Sequence, residues 1–198
     1  MDDNQPDHSR YFDPSFRIHV VKVLPCQLYF TRQTDEMIAT ILGSCVSACV
    51  RDPVAQVAAL NHFMLPETAQ PRSADLIATL RYGNHSMDML IEGLLARGAR
   101  LERLEIKVFG GGNVTMGPGI GEENANWVLR YLEQRRLPIA ARHLGGTNPR
   151  RLHYFPGTGL VLMRQLKSSM VNPVELQPNA SGPQVRERNA ATTAPSSR

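Results

Sequence analysis

Short apolar runs separated by polar turns dominate the first third of the chain. Four of these runs have the extended pattern of strands: residues 18–24, 27–30, 37–42 and 57–65. Gly43 ends the third run, Asp52-Pro53 marks a turn, and Pro66 stops the fourth run. The pattern therefore predicts several strands before residue 66.

A helical period follows this strand-rich part. Apolar side chains recur close to every 3.6 residues between Leu76 and Leu95, and Ser73 is placed to cap a long helix. The pair Gly83-Asn84 can break that helix in two. A second amphipathic helix is predicted over residues 124–137.

The second half of the chain contains further strand patterns, at residues 105–109, 139–144, 151–155 and 160–166. Together the elements predict an α/β chain, more closely an α+β sandwich of mixed or antiparallel sheets packed with two or three helices. A length of 198 residues suits a single domain. We place this domain at residues 17–170, between flexible, polar tails at residues 1–16 and 171–198.

Composition and charge narrow the class of function. No stretch approaches the roughly 20 apolar residues of a membrane-spanning helix, and the polar N-terminus lacks the pattern of a secretory signal. We therefore expect a cytoplasmic protein without an integral membrane segment. The net charge of +4 is spread along the chain and does not form a basic stripe with aromatic residues, so nucleic-acid binding is not expected.

The segment that carries most chemistry runs from Thr40 to Val50 and contains Cys45. A strand meets a turn of small residues there, and a stretch that we predict to be weakly helical follows. At a helix start, free backbone N–H groups lower a thiol pKa and can bind the oxygen of a tetrahedral intermediate. Gly43 allows close approach of a substrate carbonyl, so Gly43 and Ser44 are candidates for substrate binding.

His62 is the nearest candidate base to Cys45 in the sequence. A cysteine nucleophile needs such a base within hydrogen-bond reach, and adjacent strands would bring the two residues together. An imidazole in an apolar strand also needs a partner. The residues alone leave a plain alternative open, which is a hydrogen-bonded core histidine beside a small buried cysteine.

Other kinds of site fit the spacing less well. A structural zinc site usually has four ligands, and the set Cys45, Cys49 and His62 lacks the fourth. We therefore expect Cys49 to pack in the core or, less simply, to act as a thiol that resolves an oxidised Cys45. The glycines at 110–112 suggest a phosphate cradle, but the lysine and the serine or threonine of such loops are missing. They predict a shaped loop instead.

Four stretches together resemble the CheD family of chemoreceptor glutamine deamidases from bacterial chemotaxis. They are residues 42–53, residues 61–66, residues 107–113 with 120–124, and residues 144–146 followed by Arg150-Arg151 and Thr158-Gly159. The stretches occur in the family's order between roughly residues 18 and 168. Their joint match is much more specific than any one of them.

The resemblance implies a cysteine, histidine and threonine triad that hydrolyses glutamines of methyl-accepting chemotaxis receptors, without a metal or organic cofactor. Cys45 and His62 match the motif positions. The family often carries the threonine six residues before the cysteine, where this chain has Ala39. Thr40 is the candidate to orient His62, although one step along a strand turns a side chain to the opposite face. The alternatives for orienting His62 are the backbone of Thr40 and Ser44.

The resemblance also bears on the substrate groove and on partners. It implies that the loop at 110–112 lines the groove, where Asn113 is a candidate for substrate binding. In some relatives CheD engages the phosphatase CheC, so a non-catalytic module that binds receptors or CheC is a second hypothesis. A papain-like protease is disfavoured because its flanking signature is missing and His62 lies too close to Cys45 in sequence.

Overall fold

The computed structural model describes residues 8–114 and 119–167, which form ten strands and three α-helices. The strands are β1 (Arg10–Asp13), β2 (Ile18–Lys22), β3 (Gln27–Thr31), β4 (Glu36–Leu42), β5 (Val46–Asp52), β6 (Val57–His62), β7 (Glu105–Gly110), β8 (Ile139–Leu144), β9 (Arg150–Phe155) and β10 (Leu160–Gln165). The helices are α1 (Leu76–Leu80), α2 (Gly83–Ala96) and α3 (Ile120–Gln134). No helix in these parts of the chain has both the length and the apolar character that a bilayer crossing requires.

The strands form two five-stranded sheets of mixed direction. Sheet A has the order β1-β2-β4-β9-β10, and sheet B has the order β3-β6-β5-β7-β8. In sheet A only β2 and β4 pair in parallel, and in sheet B only β7 and β8 do so. The prediction of a single-domain α+β sandwich with mixed sheets is therefore confirmed.

The two sheets share one apolar core, which lies between β4 and β6. Every residue of both strands is buried. Helix α2 covers the outer face of sheet B, where Nδ2 of Asn61 donates to Oγ of Ser86 at 3.0 Å. Because side chains alternate across a strand, the neighbouring His62 points to the opposite face, towards sheet A.

The segment after Cys45 is a strand, so the predicted weak helix is wrong. Val46–Asp52 form β5, which pairs with β6 on one side and with β7 on the other. Pairing on both sides and burial of the β-branched Val46 and Val50 outweigh any helical preference of the residues between them. Cys45 therefore precedes a strand, and the expected effect of a helix terminus on its thiol does not apply.

Two further details differ from the sequence pattern. Residues 1–16 were expected to form a tail, yet β1 pairs with β2 in sheet A, with Tyr11 opposite Val20; residues 1–7 lie outside the described residues, as does the predicted tail at 171–198. The helical period is divided into α1 and α2 directly before the Gly83-Asn84 pair, as the sequence indicated, but the cap differs. Asp75, not Ser73, caps α1 by accepting hydrogen bonds from the backbone N–H groups of residues 77 and 78.

Candidate active site

The turn between β4 and β5 carries Cys45 and crosses from sheet A to sheet B. Three successive carbonyl groups in this turn accept hydrogen bonds from a later part of the chain. The pairs are Gly112 N–H to Gly43 O at 2.8 Å, Asn124 Nδ2 to Ser44 O at 3.0 Å, and Gly111 N–H to Cys45 O at 2.8 Å. The glycine loop and α3 thus fix the backbone on which Cys45 stands.

Thr40 and His62 contact each other across the two sheets. Oγ1 of Thr40 lies 2.9 Å from Nδ1 of His62 and 2.7 Å from the carbonyl oxygen of Val23. The hydroxyl has a single proton, which it donates to Val23, so it accepts the other hydrogen bond from a protonated Nδ1. His62 is therefore in the tautomer whose Nε2 carries a lone pair.

Cys45 and His62 lie on the same face of sheet B. Val46 pairs with Phe63 in an antiparallel bridge, with N···O distances of 3.1 and 3.0 Å in the two directions. By extension of this register Cys45 is opposite Met64, so Cys45 and His62 are diagonal neighbours. In a regular strand pair the Cα atoms of such neighbours are about 7–8 Å apart. Nε2 of His62 has no hydrogen-bond partner among the described residues. No hydrogen bond therefore joins the imidazole to the Cys45 thiol.

Burial keeps both groups neutral at physiological pH. Cys45 is 2% exposed and His62 is 1% exposed. Burial, followed by the nearby Cys26, raises the pKa of the Cys45 thiol to about 12. Burial also lowers the pKa of His62 to about 3, against a smaller opposing effect of the Val23 carbonyl. The pair is thus a neutral thiol beside a neutral imidazole, and the thiol proton must move during the attack.

The other predicted site residues lie on the turn that carries Cys45 and at the glycine loop that binds this turn. Oγ of Ser44 is buried and has no hydrogen-bond partner among the described residues, so it does not hold His62. The side chain of Asn113 is exposed and lines an open groove of about 640 Å³ between α3 and β8. Its backbone N–H donates to the carbonyl of Gly146 at 2.8 Å. Gly111 lies at the base of the same groove, directly beside the Cys45 carbonyl.

The alternative sites gain no support from this geometry. Among residues 8–114 and 119–167, no three His, Cys, Asp or Glu side chains are grouped closely enough to hold a metal ion. The N–H groups of Gly111 and Gly112 already bind protein carbonyls and do not form a phosphate cradle. Cys49 is a buried core thiol whose pKa is raised by burial. It follows Cys45 by four residues along a strand, about 13 Å, which is too far for a disulfide.

Two polar residues near the pair have no role predicted from the sequence. Asn124 binds the Ser44 carbonyl, and Ser47 lies opposite His62 by extension of the β5–β6 register. Oγ of Ser47 is buried without a hydrogen-bond partner among the described residues. Asn124 belongs to the stretch 120–124, which is part of the family resemblance. That resemblance is the sequence signal that could have pointed to Asn124.

Comparison with known proteins gives the family. A family model described as CheD chemotactic sensory transduction matches residues 64–165. A protein of Rhodopseudomonas palustris (strain BisA53), named probable chemoreceptor glutamine deamidase CheD, is 53% identical over 165 residues, which are 82% of this chain and 78% of the relative. The chain belongs to the CheD family.

A second CheD relative, from Bordetella avium (strain 197N), carries the same name. It is 46% identical over 159 residues, which are 79% of this chain and 70% of the relative. A contiguous alignment over 82% of the chain necessarily includes positions 40–62. Thr40, Cys45 and His62 therefore lie in the part that is shared with CheD proteins, and the resemblance seen in the four stretches is confirmed.

Proposed function

We propose that this CheD chain is a chemoreceptor glutamine deamidase, which hydrolyses glutamine side chains of methyl-accepting chemotaxis receptors to glutamate and ammonia. The observation that carries the proposal is the hydrogen bond between Thr40 and His62. It leaves the lone pair of Nε2 on the sheet face that also carries Cys45. The names of the relatives, probable chemoreceptor glutamine deamidases, support the same substrate.

In the first half-reaction, Cys45 acts as the nucleophile and His62 as the base. Nε2 of His62 takes the thiol proton as Sγ bonds to the side-chain carbonyl carbon of the glutamine. The tetrahedral intermediate then collapses: the C–N bond breaks, and His62 returns the proton to the departing ammonia. The product is a thioester between Cys45 and the receptor side chain.

In the second half-reaction, His62 deprotonates a water molecule that attacks the thioester. The C–S bond breaks, the proton returns to the Cys45 sulfur, and a glutamic acid side chain remains, which ionises at neutral pH. Thr40 keeps the imidazole in the tautomer that both steps need, because it occupies Nδ1–H throughout. The residues of this chain supply every proton transfer in this scheme.

The substrate contacts belong to the turn and to the glycine loop. Gly43 lets the carboxamide approach the backbone, and the unpartnered hydroxyl of Ser44 can bind its oxygen or nitrogen. Asn113 can contact the receptor backbone from the groove between α3 and β8. The cytoplasmic part of the receptor is the substrate, so the protein acts in the cytoplasm.

A second candidate function is a non-catalytic regulatory module that engages receptors or the phosphatase CheC. The observation that favours it is the closed state of the site, in which Cys45 and His62 are both almost fully buried and no hydrogen bond joins them. Deamidation requires that the substrate opens this site, whereas a binding module does not.

Mass spectrometry of a receptor cytoplasmic fragment in ¹⁸O-labelled water separates the two functions. The unmodified protein is expected to convert specific glutamines to glutamates that carry the heavy oxygen, and the matched Cys45→Ala variant is expected to leave them unchanged. Equal labelling with both proteins would show that Cys45 is not the nucleophile. Binding of the fragment without any labelling would favour the regulatory module.

A further inference from the structure

The side chain of Asn124 links the two backbone segments that carry the nucleophile and the base. Its Nδ2 donates to the carbonyl of Ser44 at 3.0 Å and to the carbonyl of Met64 at 2.8 Å. Ser44 directly precedes Cys45, and Met64 lies two residues after His62. Asn124 is fully buried, so these hydrogen bonds are shielded from water.

The direction of the Ser44 carbonyl also determines the direction of the next N–H group. The peptide unit is planar, and no described peptide bond is cis, so the N–H of Cys45 points away from the oxygen that Asn124 holds. An N–H fixed in this way can donate to a thiolate or to the anionic oxygen of an intermediate. Against the larger effects of burial and Cys26, the backbone N–H of Cys45 acts to lower the thiol pKa.

Helix α3 is held in place independently of these hydrogen bonds. A Cβ added at Gly121 would overlap the carbonyl oxygen of Gly112 and would lie 2.8 Å from the carbonyl oxygen of Gly111. The first turn of α3 therefore packs backbone against backbone on the glycine loop. The same loop binds the carbonyls of Gly43 and Cys45, so Asn124 approaches Ser44 from a fixed support.

We propose that Asn124 is a positioning residue of the deamidase. Its amide fixes the Ser44–Cys45 peptide to the end of β6, so that the thiol and the N–H of Cys45 face the carboxamide of the bound glutamine. The proposal rests on the proposed function. Asn124 touches no reacting atom and acts only through the backbone of Ser44 and Met64.

The test compares Asn124→Asp and Asn124→Ala with a matched control, Asn84→Asp. Asn84 is a second side-chain amide that fastens a loop, since its Nδ2 donates to Thr68 O at 3.0 Å, but it lies at the start of α2. In Asn124→Asp an ionised carboxylate faces two carbonyl oxygens. We expect kcat for the receptor fragment to fall about 10–100-fold, as for a misplaced reacting group, with KM little changed.

The pH dependence distinguishes positioning from a general loss of structure. A protonated Asp has one O–H that can donate to one of the two carbonyls. The kcat of Asn124→Asp relative to the unmodified protein should therefore rise as the pH falls, whereas the ratio for Asn124→Ala stays constant. Thermal melting of all four proteins shows how much of each loss is unfolding. Asn84→Asp should keep the kcat and KM of the unmodified protein.

A second readout does not require deamidase activity. It is the rate at which iodoacetamide alkylates Cys45, measured on the peptide that contains Cys45, with the core thiol Cys49 as an internal reference. We expect this rate to fall severalfold in Asn124→Asp and to stay unchanged in Asn84→Asp. A kcat and an alkylation rate like those of Asn84→Asp would overturn the proposal, as would a raised KM at unchanged kcat. If the unmodified protein leaves the receptor unchanged, the proposed deamidase function is wrong. The role of Asn124 is then judged by alkylation alone, and equal Cys45 alkylation in the unmodified protein and in Asn124→Asp would overturn it.

Discussion

Thr40 and His62 come from different sheets, and their side chains meet with 2.9 Å between Oγ1 and Nδ1. The Thr40 hydroxyl gives its own proton to the Val23 carbonyl, so it can only accept from the imidazole. One buried hydroxyl thereby selects the histidine tautomer and joins the two halves of the sandwich at the site. A residue of this kind should matter more for the rate than for receptor binding.

We expect Thr40→Val to lower kcat about 10–100-fold, because the imidazole loses its orientation. KM should change little, since Thr40 is buried behind His62. Thr40→Ser is the matched control: it keeps the hydroxyl, removes only a methyl group and should retain most of the activity. Receptor deamidation followed by mass spectrometry gives both constants. Unchanged kcat in the Thr40→Val variant would mean that another group orients His62.

The face on which Thr40 lies could not be predicted from the sequence. All seven residues of β4 are buried, so the strand lacks the polar alternation that separates an inner face from an outer one. Ala39, at the position where the family often has threonine, lines a cavity on the outer face of sheet A with His153. The pairing between β2 and β4 determines which face of sheet A each β4 residue occupies. Counting residues back from Cys45 in the sequence does not reveal that face.

The strand after Cys45 shows a related limit. Val46–Asp52 are too few, and the first five of them too uniformly small, to distinguish a buried strand from a buried helix by period alone. Pairing with β6 and β7 decides the matter, and those partners are distant in the sequence. Cys45 and His62, by contrast, were recognisable because a glycine turn and an isolated histidine in an apolar run are local signals.

The buried His62 should make the stability of the fold depend on pH. Its pKa is lowered from 6.5 to about 3 in the folded state, so the unfolded chain binds a proton more readily. The free energy of unfolding is therefore highest at neutral pH and falls as the pH drops below 6.5. We expect this loss to be roughly 2 kcal/mol between pH 7 and pH 5. Urea unfolding at the two pH values measures this loss. A His62→Gln variant should lose less, and an equal loss in both proteins would contradict the assignment.

Gly110 supports the nucleophile through a contact that only glycine allows. Its φ is +117°, and a Cβ at this position would overlap the Cys45 carbonyl oxygen and lie 2.9 Å from Cα of Val46. We expect Gly110→Ala to reduce activity per folded molecule at least tenfold, in line with misplacement of a reacting group. Gly98 has a φ of +90°, and a methyl group there would meet nothing within 4 Å, so Gly98→Ala is the matched control for backbone strain.

Gly98→Ala should lower the free energy of unfolding by about 1–3 kcal/mol, as expected for a non-glycine residue in this backbone region, and leave kcat unchanged. The comparison of specific activity at equal folded fraction, set by circular dichroism, separates strain from displacement of Cys45. If both variants lose activity in proportion to their stability, Gly110 has no special relation to the nucleophile.

Asp52, at the end of β5 away from Cys45, should affect stability without affecting chemistry. Burial alone would raise its pKa, but hydrogen bonds from Arg103 and from the N–H groups of residues 55, 100 and 54 lower it to about 2. The Arg103 Nε and Nη2 atoms lie 2.9 and 2.6 Å from Oδ2. The stabilisation is present above the ordinary carboxyl pKa and is lost as the pH falls towards 2.

Replacement of one partner in this pair leaves the other unpaired. We expect Asp52→Asn to lower the free energy of unfolding by about 1–3 kcal/mol at neutral pH, because the charge-assisted hydrogen bonds between the buried carboxylate and the partly exposed Arg103 are lost. Arg103→Gln and the double variant complete a cycle that isolates the coupling between the two side chains. The kcat per folded molecule should remain that of the unmodified protein. A selective loss of kcat in Asp52→Asn would show that β5 transmits strain from its far end to Cys45.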